Sequence, residues 1–62
     1  MKKIDIITLV QRFGYDFVSA GEMADDILDI MDKEAVGSSR TFYLNGGHVT
    51  LRKILPAHEI LA

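Results

Sequence analysis

The sequence predicts an α+β fold: two helices packed on a two-stranded antiparallel hairpin, followed by a short C-terminal helix. Three observations lead there. Apolar residues recur at helical spacing over residues 3–13 and again from Ala20 to about Ala35. They then alternate with polar residues on both sides of a Gly46-Gly47 pair. The whole chain has 62 residues, which is room for one domain, 1–62, and one small core.

In the first helix, Ile6, Leu9, Val10 and Phe13 share a face, while Asp5, Thr8 and Arg12 share the other. Ile4, Ile6, Ile7, Thr8 and Val10 are β-branched and favour a strand. However, Ile6-Ile7 and Leu9-Val10 are adjacent apolar pairs that break strand alternation. Gly14 suits the left-handed residue that ends a helix. Ile4 and Ile7 lie off the main stripe and leave apolar surface to spare.

The second helix has a start signal in "SAGE" at 19–22: Ser19 as N-cap, Glu22 reaching back to it, and Val18 and Met23 as a hydrophobic staple. A stop is expected near Gly37. Between the helices, Tyr15, Phe17 and Val18 are too apolar for a free linker, so this connector is expected to pack.

"SSRTFYLNGGHVTLRKI" predicts a hairpin. A two-residue Gly46-Gly47 turn sets Leu44 opposite Val49 and Phe42 opposite Leu51, all on one face. Pro56 suits the first turn of a short helix, "PAHEIL". The expected core is Ile6, Val10, Phe13, Phe17, Met23, Ile27, Ile30, Met31, Phe42, Leu44, Val49 and Leu51.

Composition narrows the function. With no cysteine, disulfides and thiolate zinc sites are excluded. Apolar residues make up 48% of a chain with little interior, which favours self-association. Asp5, Gln11 and Arg12 interrupt the N-terminal apolar run, which therefore does not resemble a signal peptide, and no run approaches the roughly 20 apolar residues of a membrane span. A cytoplasmic protein with no membrane partner is the expectation.

The segment that most resembles chemistry is "EMADDILDIMDKE", where Asp25, Asp26 and Asp29 form D-D-x-x-D. Carboxylates at that spacing hold magnesium in enzymes that activate diphosphates. At about 100° per residue, though, Met23, Ala24, Ile27, Ile30 and Met31 take one side of the helix. Glu22, Asp25, Asp26, Asp29 and Asp32 take the other. The spacing is what an aspartate-rich solvent face produces. A magnesium site would also need carboxylates from a second element around a deep cavity. No metal and no cofactor are expected.

His48 and His58 have no further ligand at zinc spacing, and Ser38 and Ser39 have no visible oxyanion device. An enzyme is not expected. Arg40, His48, Arg52 and Lys53 lie on or beside the hairpin, where a basic wing could meet phosphate. Two helices followed by a hairpin, with "RFG" at 12–14, make a layout similar to that of small phage repressors of the Cro type. The chain departs from that pattern where it matters. The helix that would enter the major groove is the acidic one, and the small residue and glycine of a tight helix-turn-helix are missing. The family is therefore not assigned.

The sequence thus predicts a small non-enzymatic regulatory or adaptor protein that binds proteins through an acidic helix face and exposed hairpin edges. Its expected partners are a protein with a basic surface and a second copy of itself. The homodimer is expected along Arg40, Thr41, Phe42, Tyr43 and Leu44. The alternative is a dimeric DNA-binding regulator that uses the basic hairpin.

Overall fold

A computed structural model describes residues 2–54 and 58–61. The chain forms α1 (Lys3–Gln11), α2 (Phe17–Asp32), β1 (Ser39–Leu44), β2 (Gly47–Lys53) and β3 (His58–Ile60). The strands make one antiparallel sheet in the order β1-β2-β3, and the helices pack on one of its faces. The α+β class is therefore as the sequence predicts.

The C-terminal helix is not. His58–Ile60 is a strand on the far side of β2, with Leu51 opposite Ile60, Arg52 opposite Glu59 and Lys53 opposite His58. Pro56, on which the helix prediction turned, lies outside the described residues. Sheet pairing outweighed the weak local helix signal because β2 offered a second row of backbone groups. The Leu61 N–H still donates to the Thr50 carbonyl, at 2.8 Å, just past the strand.

The second helix begins three residues before the sequence signal suggests. Its N-cap is Asp16, whose carboxylate accepts from the Ser19 N–H at 2.7 Å. Ser19 lies inside the first turn, and Val18 is no staple, being 69% exposed. Both Asp16 and Ser19 are good capping residues. The structure takes the earlier one, and Ala20 and Ala24, two small side chains one turn apart, are fully buried where α1 packs on α2. At the other end the helix stops at Asp32, with Lys33 as C-cap.

The hairpin turn is Asn45-Gly46, one residue earlier than predicted, with Leu44 opposite Gly47. Phe42 therefore faces Val49 and Arg40 faces Leu51. The register has moved by two residues, an even step, so the predicted side chains keep their face but change partners. Two tertiary contacts select this turn. The Tyr15 hydroxyl accepts from the Asn45 N–H at 2.9 Å. The Phe13 ring lies over Gly47, where an added Cβ would stand 2.7 Å from Phe13 Cε1. Gly46 supplies the left-handed residue of the turn, at φ +83°.

The core joins Ile6, Ile7 and Val10 of α1, Ala20, Ala24, Ile27 and Met31 of α2, and Leu44, Val49 and Leu51 of the sheet. Phe13, Met23, Ile30 and Phe42, expected inside, are half-buried. Phe17 is 60% exposed and does not belong to the core. Conversely Ile7, expected to be surplus, is only 6% exposed, while its neighbour Ile4 stays out at 53%. Of the connector, Tyr15 packs as expected, whereas Phe17 and Val18 open the helix facing solvent.

Candidate functional site

The acidic residues of α2 all lie at the surface: Glu22, Asp25, Asp26, Asp29 and Asp32 are exposed. Lys3 Nζ reaches Asp25 at 2.8 Å, tying α1 to α2, and Lys33 reaches Asp29 at 3.3 Å from one turn away. Asp32 enters through its backbone instead, its carbonyl accepting from Lys53 Nζ at 2.6 Å. Among the described residues, no three of His, Cys, Asp and Glu stand close enough together to hold a metal ion. Asp25, Asp26 and Asp29 are neighbours on the exposed side of α2, two of them in surface ion pairs.

The structure divides the four basic hairpin residues between the two faces of the sheet. His48 and Arg52 lie on the outer face, where the His48 ring is 6.2 Å from that of Tyr43 and Arg52 meets Glu59 at 3.5 Å. By register Arg40 and Lys53 belong to the helix face, and each is engaged there: Arg40 with Glu34 at 3.2 Å, Lys53 with Asp32. Positive charge is therefore not gathered on one surface, and two of the four residues already have a carboxylate partner.

The sequence-predicted edge residues do come together. Beside β1 runs a groove whose α2 wall is Met23, Asp26, Ile27 and Ile30 and whose strand wall is Arg40 to Leu44. Phe42 is half-buried on its floor, while Tyr43 turns to the outer face and is 82% exposed. Thr41 and Thr50 share a hydroxyl hydrogen bond of 2.9 Å across β1 and β2 on that outer face. The groove escaped the sequence reading, which treated Met23, Ile30 and Phe42 as buried core. Their joint appearance at the margins of both apolar stripes was the available signal.

A second, more polar cleft lies between α1 and β3, lined by Asp5, Thr8, Leu9, Arg12 and Ile60. Asp5 is used locally, accepting from the Lys2 N–H at 3.0 Å. At the start of β3, burial above all holds His58 below its ordinary value of 6.5, with the charge of Lys53 acting in the same direction and Asp32 opposing. The His58 Nδ1 is buried with no hydrogen-bond partner among the described residues. No helix among the described residues is long and apolar enough to cross a membrane.

Comparison with protein-family models, with curated proteins and with solved structures finds no significant match.

Proposed function

We propose that this chain is a small non-enzymatic regulatory or adaptor protein that works by binding other proteins. The single observation that carries the reading is the β1 edge, which no other strand among the described residues covers, lying beside a groove with an apolar floor and Asp26 on its rim. Exposed edges are templates for strand addition, and natural proteins usually blunt them. The neighbouring face of α2 adds carboxylates of one sign, and a surface shaped only for helix stability would mix its charges. A partner with a basic surface complements that face.

The test is calorimetric binding of a Lys/Arg-rich peptide at physiological salt, where screening acts beyond about 8 Å. Binding that persists there and is lost in the Asp25→Lys/Asp29→Lys double variant, but survives Arg52→Glu/Lys53→Glu, supports the reading. Binding seen only at low salt, or indifferent to the first pair, reduces the acidic face to a solubilising coat.

A further inference from the structure

We infer that the open β1 edge is closed by a second copy of this chain, laid antiparallel along β1 so that the two sheets continue as one. The inference rests on reading β1 as a binding edge and adds which molecule sits there.

Backbone geometry fixes the residues involved. In an antiparallel pair, alternate residues turn their N–H and C=O toward the partner strand. The Lys53 N–H donates to the Ser38 carbonyl at 2.9 Å, and from there the register is unbroken to Leu44 opposite Gly47. Arg40, Phe42 and Leu44 therefore face β2, while Ser39, Thr41 and Tyr43 turn their backbone groups outward. The same alternation holds on the other side of β2, where Thr50, one of its residues turned away from β1, accepts from Leu61. β1 is lightly protected: Ser39–Leu44 holds no proline, the one bulge lies before it, where the Gly37 N–H and the Ser38 carbonyl both pair with Lys53 and Gly37 takes φ +91°, and its one inward charge, Arg40, is held by Glu34.

Charge then selects the occupant and its direction. The chain runs up α2 and back down β1's neighbourhood in opposite senses. Glu34, just past the C-terminal end of α2, meets Arg40, whereas Tyr15, just before its N-terminal end, holds Asn45 beyond the other end of β1. The groove thus has Asp26 toward its Leu44 end and Arg40 at the opposite end. A second copy running antiparallel brings its Arg40 alongside Phe42, toward the first copy's Asp26, and receives the first copy's Arg40 in the same way. A parallel copy would set Arg40 against Arg40. The groove is self-complementary under a two-fold axis and under no parallel arrangement.

The register follows from counting bonds. With Thr41 opposite Thr41 on the axis, Ser39 meets Tyr43 on both sides, and every outward N–H and C=O of the three residues is paired. Slipping the strands by two residues leaves Ser39 opposite the turn. The same register extends the Thr41–Thr50 hydroxyl pair into a row of threonines running across the junction on the outer face.

Sedimentation equilibrium of the whole chain at physiological salt, from low to high micromolar concentration, tests this. The expected result is a dimer. Thr41→Pro should weaken it at least tenfold with the circular dichroism spectrum unchanged. The proline deletes an outward donor and removes no backbone bond to β2, as an edge strand tolerates; the Thr41–Thr50 hydroxyl bond is the one contact with β2 that it takes away. Phe42→Pro would instead break the β1–β2 ladder. Arg40→Asp and Asp26→Arg should each weaken the dimer, and the double variant, which exchanges the charges, should restore it. This arm decides the matter if Thr41→Pro does not fold. A monomer at high micromolar concentration, a dimer that survives Thr41→Pro, or an exchange that restores nothing overturns the inference. A monomer that still binds the basic peptide would overturn the second copy alone and leave the protein-binding reading in place.

Discussion

Truncating Ile7 to alanine, with Ile4→Ala as its control, tests the seating of the first helix. The two side chains are identical, three residues apart, and equally surplus to the predicted apolar stripe, but Ile7 is 6% exposed and Ile4 53%. Ile→Ala removes three carbons, about 2.5 kcal/mol of transfer free energy at a buried site. The cavity left in the core raises the cost to about 3 kcal/mol. At Ile4 about half the transfer term applies, and alanine's better helix propensity returns a few tenths, so the net loss stays below about 1 kcal/mol. A 62-residue domain has about 3–9 kcal/mol in all. Ile7→Ala therefore takes a third or more of the total. In urea, with a slope near 1 kcal/mol per molar for so small a chain, its midpoint should fall by about 3 M and that of Ile4→Ala by less than about 1 M. Equal shifts, or a larger one for Ile4→Ala, would refute the packing of α1.

The cap of α2 gives a second contrast. Asp16→Ala should lower the melting temperature by about 5 °C, whereas Ser19→Ala keeps the donating N–H and should change it little. The Ser19 N–H holds the Asp16 carboxyl below its ordinary value of 3.8. A depressed folded pKa means the contribution is whole above the unfolded value and is lost as pH falls through the folded one. The melting-temperature advantage of the native protein over Asp16→Asn should therefore close on acidification below pH 3.8, and an advantage that grew there would contradict the assignment. Finally, Gly21 lies within α2, where an added Cβ meets nothing within 4 Å. Gly21→Ala should raise the urea midpoint by up to about 1 M, and a fall would show that the position is occupied.

What the chain alone reveals about the binding surface is uneven, for physical reasons. The five carboxylates of α2 were legible because a charged face follows from helical spacing and needs no partner to define it. The open edge was legible in β1 but overcounted, because the sequence gives no sign that His58–Ile60 would cover β2. The groove was hidden. Met23, Ile30 and Phe42 are as apolar as any core residue, and only the tertiary arrangement leaves them half-covered beside the groove. Arg40 and Arg52 looked like members of one basic patch, yet strand parity is even between them only until the turn intervenes, and they face opposite sides.

By itself the sequence determined the class of fold, the existence of both helices and the hairpin, and which side chains of β1 and β2 share a face. These depend on periodicity, a property of neighbours within a few residues, and a shift of the turn by one position left the facing set intact. Tertiary structure decided everything chosen between near-equal local options. It took Asp16 over Ser19 as the cap, and Asn45-Gly46 over Gly46-Gly47 as the turn because Tyr15 and Phe13 hold it there. It also turned the last described segment into a strand, since backbone groups on β2 were open to pairing. Local preferences on the order of 1 kcal/mol break such ties only when nothing distant does, and in a chain this small nearly every residue is near the core.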